Sequence, residues 1–227
     1  MRQTDYFQRQ ITLVGKEKQA LLQDKKVLII GAGGLGSSLA LALGTSGIGH
    51  VDIIDFDRVA YHNIHRQIAF TLEDEGLFKA EVVVALLKKK NPFVLSEAFV
   101  ESFESWSQKE ELKEYDLFID ATDNFEVREA IDAYAKLKKR PWIYGSVEAF
   151  QGQVCFFESS NFHIFKQNSQ HQVSGVLAPM VMSIASFQAN LALRYLLGFP
   201  LEKEKLFYFY FDESGILQTQ KFTMPQG

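Results

Sequence analysis

The chain has 227 residues, of which 47% are hydrophobic and 23% charged, and its formal net charge is −4. That is enough apolar material for one large globular domain, and so small a negative balance argues against nucleic acid as a partner. A single cysteine, Cys155, excludes an internal disulfide and any all-thiolate zinc site.

Strands and helices alternate along the first two thirds of the chain. KVLII, at 26–30, is a continuous apolar run of the kind that a parallel strand buried on both faces shows, and SSLALALGTSG after it carries helical spacing and stops at a glycine. HVDIID then predicts a second strand, 77–90 a helix, YDLFIDA a strand, 125–139 a helix and PWIYGSV a strand. The lysine-rich stretches Lys88–Lys90 and Lys136–Arg140 fall where two of these helices should end, as solvated faces matched to the helix dipole. Strands separated by helices of this length imply right-handed crossovers and a mostly parallel sheet.

After Gly152 the pattern changes. QVCFFES and KLFYFYFDESGILQTQKF predict antiparallel strands, the latter a pair joined by a turn at Asp212 to Gly215, and 179–197 predicts a long apolar helix closed by Gly198. Between them 158–177 reads as a polar loop, of a length that is usually functional or mobile. Cys155 lies in the apolar run VCFF and is expected to be a buried structural thiol. No apolar run is long and unbroken enough to span a membrane, and nothing at the N-terminus has the form of a signal peptide, so a cytoplasmic location is expected.

GAGGLG, at 31–36, follows the first strand and opens the first predicted helix, which is the context that gives Gly-x-Gly-x-x-Gly its meaning. Gly31 permits the tight turn, Gly33 lets backbone approach a phosphate, and Gly36 lets helix and strand pack closely. About twenty residues further on, Asp55 ends the second strand, where a carboxylate accepts hydrogen bonds from ribose hydroxyls. Nucleotide binding follows from these together. DFDRVAYHNIHRQIAF, at 55–70, then adds Asn63 and Arg66, with Lys79 beyond it. A redox dinucleotide needs ribose recognition and a hydride-transfer face, whereas a nucleotide reacting at its own phosphates needs positive groups around them. Asn63 also reads as the cap of a short helix.

These segments together resemble the ThiF/MoeB/HesA family, bacterial relatives of ubiquitin-activating enzymes. YFQRQITL resembles the family's N-terminal arginine segment, GAGGLGSS its glycine loop, DFDRVAYHNIHRQIAF its ribose and phosphate segment, and DATDNFEVR its Thr-Asp-Asn segment. SGVLAPMVMSIASFQANLALRYLLG is similar to the helix after the family's crossover loop. The fold expected is α/β, a Rossmann-like mostly parallel sheet with helices on both faces, continued by antiparallel C-terminal strands. One adenylation domain would span 1–227, with a nucleotide-binding part at about 25–150, a crossover loop at about 158–177, and a C-terminal helix and strands at about 179–223.

The resemblance implies an adenylyltransferase that uses ATP and Mg2+ to activate the C-terminal glycine of a ubiquitin-like sulfur-carrier protein ending in Gly-Gly. By it, Asp55 holds ribose and Asn63, Arg66 and Lys79 contact phosphates. Gly31, Gly33, Gly34, Gly36 and Asp57 complete the nucleotide contacts. Asp123 holds the magnesium, and Arg9 reaches across a homodimer into the partner's pocket. A C-terminal carboxylate, with an ordinary pKa of about 3.3–3.7, is already ionised at neutral pH, so the chemistry needs cations, a metal and alignment more than a general base.

The chain lacks the two Cys-x-x-Cys pairs that hold zinc in many members, and the cysteine of their crossover loop. His171 falls about where that cysteine would be. No zinc is expected. Packing among Phe156, Phe157, Phe162, Phe165 and the run 207–211 would take its place, and sulfur would come from a separate persulfide donor such as a cysteine desulfurase. Three other readings stand beside this one. Tyr134 and Lys138 have the Tyr-x-x-x-Lys spacing of short-chain dehydrogenases, a noncatalytic scaffold would keep the fold alone, and a relative of the same superfamily would activate a small molecule or a tRNA base.

Overall fold

The computed structural model describes residues 2–109, 113–165 and 175–225. Eight strands form one sheet: β1 (Lys26–Ile30), β2 (His50–Ile54), β3 (Ala98–Phe99), β4 (Leu117–Asp120), β5 (Trp142–Glu148), β6 (Gln151–Phe157), β7 (Lys205–Phe211) and β8 (Leu217–Thr223). The helices are α1 (Gln3–Tyr6), α2 (Gln8–Val14), α3 (Lys16–Leu21), α4 (Gly34–Gly44), α5 (Lys79–Lys90), α6 (Phe103–Ser107), α7 (Phe125–Lys138) and α8 (Ala178–Leu196). Strand order is β3-β2-β1-β4-β5-β6-β7-β8. The first five are parallel neighbours, and β6 to β8 continue the sheet antiparallel.

Residues 27–30 of β1 and 51–54 of β2 are buried throughout, because helices cover both faces of this part of the sheet. On one face α4, α5 and α8 bring Leu39, Leu43, Val83, Leu87 and Ile184 against Val27, Ile29, Val51 and Ile53. On the other, α6 and α7 bring Phe103, Trp106, Ile131 and Tyr134 against Leu28, Ile30 and Phe118. The Tyr-x-x-x-Lys pair belongs to this second layer: Tyr134 is buried at 8% exposure, edge-on to Phe103, Trp106 and Phe118.

Local signals set the ends of the long helices. Asn124 caps α7 by accepting from the Val127 amide at 3.0 Å, and the helix stops where Lys139 turns left-handed. α8 begins with a proline in its first turn and is closed by Gly198, also left-handed. Phe157 stacks on Trp142 at 4.8 Å and Phe165 on Phe162 at 5.1 Å, so aromatic rings fill one end of the second layer. Among the described residues, no helix is long and apolar enough to cross a membrane.

Strand order turns at β1, which has β2 on one side and β4 on the other. A crevice therefore opens outside the carboxyl ends of β1, β2 and β4, and ligands of open α/β sheets bind at such a place.

Candidate functional site

The glycine loop leaves β1 at this crevice. Gly31 abuts the segment after β4, and a Cβ there would lie 2.7 Å from the Ala121 carbonyl oxygen. At Gly36 a Cβ would collide with the carbonyl of Gly31, so the start of α4 is packed directly on the loop. Gly33 is different. Among the described residues, a Cβ there would meet nothing closer than Gln67 Nε2 at 3.6 Å, and they leave the space above it open. Gly34 packs under Val181 of α8 and faces the backbone of Arg66. No side chain caps α4, so its first amides have no partner from a cap.

Asp55 lies just past β2. Its two oxygens accept from the amides of Ala32, at 2.6 Å, and Asp57, at 2.7 Å, and so tie the second strand's end to the glycine loop. Burial raises its pKa above the ordinary aspartate value, only partly offset by those two amides and by nearby Lys79. Lys79 opens α5. Its amide donates to the Asp57 carbonyl at 2.9 Å and its Nζ reaches Asp57 Oδ2 at 2.8 Å.

Asn63 is the buried last residue of a short 3-10 turn, Tyr61–Asn63, and does not cap a helix. Its Oδ1 instead accepts from Arg66 Nη2 at 3.0 Å, while Arg66 Nη1 donates to the His62 carbonyl at 3.1 Å. The two residues form one unit with the guanidinium held from behind.

Asp123 follows β4 in the bend beside Gly31, exposed and without a hydrogen-bond or ion-pair partner among the described residues. What fixes this bend is a pair that sequence reasoning missed. Arg128 of α7 donates from Nε to the fully buried Asp120 at 3.0 Å, and from Nη2 to the Thr122 carbonyl at 2.5 Å and the Gly145 carbonyl at 3.3 Å. Asp120 also accepts from the Thr122 amide and hydroxyl. A lone carboxylate such as Asp123 fits magnesium, which takes one or two protein carboxylates and completes its octahedron with phosphate and water oxygens. Among the described residues, no cluster of three or more His, Cys, Asp or Glu is arranged to hold a metal ion.

Arg9 is not brought to this crevice. α2 carries it at the other end of the sheet, where Gln10 donates to the Ser46 carbonyl and Phe7 packs on Phe93, both at the amino ends of the parallel strands. At about 3.3 Å per residue, the five residues of β1 separate it from its own glycine loop by roughly 16 Å. Cys155 is fully buried in β6, and burial pushes its thiol pKa up. His163 is exposed on a 3-10 turn, and His171 lies outside the described residues.

A glycine loop between β1 and α4, an acid after β2 and a strand order that turns at β1 define a Rossmann-like nucleotide-binding fold. The ThiF family model matches residues 7–226, and the chain belongs to the ThiF family. A sulfur carrier protein adenylyltransferase of Thermus thermophilus is 38% identical over 161 residues, which is 70% of this chain and 59% of that protein. A probable molybdopterin-synthase adenylyltransferase of Gracilaria tenuistipitata var. liui is 32% identical over 194 residues, 82% of this chain and 55% of that protein. The chain thus spans under three fifths of the length of both. Among solved structures, E. coli MccB crystallised with ATP superposes with a TM-score of 0.85 at 20% identity, over 98% of this chain and 71% of that one. Crystalline PaaA gives 0.83 at 23% identity, over 97% and 73%.

Proposed function

We propose that this chain is an ATP-dependent adenylyltransferase that activates the C-terminal glycine of a ubiquitin-like sulfur-carrier protein, for sulfur transfer in thiamin or molybdopterin synthesis. The observation that carries the reading is the grouping of Lys79, Arg66 and an unpaired Asp123 around an open glycine loop whose ribose acceptor, Asp55, is already oriented. The names of the two adenylyltransferase relatives support it.

In this reading a carboxylate oxygen of the carrier's last glycine attacks the α-phosphorus of ATP, and pyrophosphate leaves. Asp55 receives the ribose hydroxyls. The Gly33 and Gly34 backbone lies along the phosphates, Asn63 orients Arg66 towards them, and Lys79 exchanges Asp57 for charge that builds up during attack. Magnesium held by Asp123 would neutralise further phosphate charge. Arg9 acts in the pocket of the partner in a homodimer, which accounts for its distance from its own loop. The acyl-adenylate is then released to a persulfide donor.

ATP–pyrophosphate exchange with a panel of purified carriers ending in Gly-Gly tests the proposal. Exchange that depends on one carrier names the substrate. Exchange with a small-molecule carboxylate and with none of the carriers would overturn it.

A further inference from the structure

Asp120 ends β4, three residues before Asp123, and is gripped from both faces of the sheet. From the α7 side Arg128 binds its carboxylate at 3.0 Å and, through Nη2, the Thr122 carbonyl at 2.5 Å, which belongs to the peptide group leading into Asp123. From the α8 side the fully buried Gln188 donates from Nε2 to the Asp120 carbonyl at 2.7 Å. Its carboxamide fills the place of a missing side chain on β5, since a Cβ at Gly145 would lie 2.3 Å from it. The carbonyl of the same glycine accepts from Arg128 Nη2 at 3.3 Å, so the two helices meet through β5.

Gln188 Oε1 is shut off from solvent and has no hydrogen-bond partner among the described residues. A buried acceptor without a partner destabilises a fold, so the contribution of this glutamine lies in the contact that Nε2 makes. Two turns earlier on α8, Val181 packs over Gly34 of the glycine loop. Seven residues place the two side chains on one face of the helix, about 10 Å apart along it. One helix thus spaces the glycine loop from the bend that carries Asp123. On the far side of the bend Asn124 accepts from the Val127 amide at 3.0 Å, so the backbone is held before and after Asp123 while its side chain stays exposed.

Resting on the adenylyltransferase reading, with Asp123 as its magnesium ligand, we propose that Arg128 and Gln188 are positioning residues for the metal: by gripping Asp120 from opposite faces they set the distance of the Asp123 carboxylate from the phosphates above the glycine loop. Magnesium demands a near-ideal octahedron with ligands at about 2.0–2.1 Å, and a carboxylate whose backbone drifts cannot keep that distance. Groups that orient a metal ligand are typically worth about ten- to a hundredfold in metal affinity.

The test uses Mn2+, a paramagnetic substitute for Mg2+. Its binding to the ATP complex of wild type, Gln188→Met and Arg128→Lys is followed by electron paramagnetic resonance, with ATP titrations in EDTA and thermal melts on the same samples. Gln188→Met keeps the shape of the side chain and removes the orphaned acceptor. Arg128→Lys keeps a charge beside Asp120, but an ammonium cannot reproduce the planar fork that joins it to Thr122 and Gly145. Mn2+ affinity should fall at least about tenfold in both, while ATP affinity in EDTA stays within about twofold of wild type. The Mg2+ concentration for half-maximal pyrophosphate exchange should rise by the same factor, and excess Mg2+ should restore most of the rate. Folded variants with wild-type Mn2+ affinity would overturn the assignment. So would a loss of ATP affinity in EDTA as large as the loss for Mn2+, which marks general loosening. Should one variant not fold, the other decides, and loss of folding in both would make the grip a requirement of the fold alone and overturn the proposal. A wild type that binds no ATP would instead defeat the adenylyltransferase reading itself, and Asp123→Ala with wild-type Mn2+ affinity would defeat the metal role of that aspartate.

Discussion

The ammonium of Lys79 is held 2.8 Å from the carboxylate of Asp57, with the lysine side chain 7% exposed and the aspartate 55% exposed. The lysine is thus buried beside its only ion-pair partner among the described residues, and that partner is open to water. A phosphate arriving from the solvent side competes for the ammonium without having to extract it from the core.

Lys79→Ala should therefore cut ATP–pyrophosphate exchange by at least about 100-fold while ATP binding weakens less, because the charge it neutralises grows mainly in the transition state. Asp57→Ala should cost about 1 kcal/mol of stability, a figure kept small by the exposure of the aspartate and the water around it. Exchange kinetics with calorimetry check the first expectation, and urea unfolding checks the second. Near-normal exchange by Lys79→Ala would remove the lysine from the chemistry.

The glycines of the loop separate fold from function. Gly36→Ala forces a Cβ into the Gly31 carbonyl and should destabilise the protein by about 3 kcal/mol or more. Gly33→Ala meets only the end of Gln67, at 3.6 Å, and should unfold within about 1 kcal/mol of wild type. Its ATP affinity should nevertheless collapse, because the methyl occupies the space left for phosphate. Thermal melts set beside ATP titrations distinguish the two, and tight ATP binding by Gly33→Ala would move the site elsewhere.

How far the sequence reaches into this architecture depends on the kind of contact. β1 and β2 were legible because strands buried on both faces must be apolar throughout, and the glycine loop was legible because close backbone approach admits no other residue. The helices α1, α2 and α3 were not predicted. They are four, seven and six residues long, carry no side-chain caps, and are held by tertiary contacts such as that of Gln10 with Ser46. The two-residue β3 is too short to show any period. Arg128 stood in a quoted motif, yet its pairing with Asp120 joins a helix to a strand end and has no sequence signature.

Arg9 sits on α2 at the far end of the sheet from its own loop, exposed and without an ion pair among the described residues. In the proposed homodimer it serves the neighbouring pocket. Mixing Arg9→Ala with Lys79→Ala should then restore activity that neither protein has alone, since each heterodimer contains one site with both residues intact. With random exchange the mixture should reach about a quarter of wild-type exchange activity. Heterodimers that form and stay inactive would assign Arg9 to another role.

Cys155 is the only thiol in the chain, it lies in β6 at 0% exposure, and burial raises its pKa, so little thiolate exists at neutral pH and none of it faces the crevice. A carrier's C-terminus would have to part the buried cluster that Cys155 shares with Trp142, Tyr144, Phe157 and Phe162 to reach it. The covalent chemistry on this protein should therefore end at the acyl-adenylate, with neither thioester nor disulfide to the carrier. Cys155→Ser places a hydroxyl in an apolar layer and should lower stability by about 1–3 kcal/mol while pyrophosphate exchange per folded molecule is unchanged. Denaturing electrophoresis of wild type with carrier and ATP should show no reducible adduct. An adduct that disappears under reductant and is missing from Cys155→Ser would mean that β6 opens during turnover and that the thiol takes part.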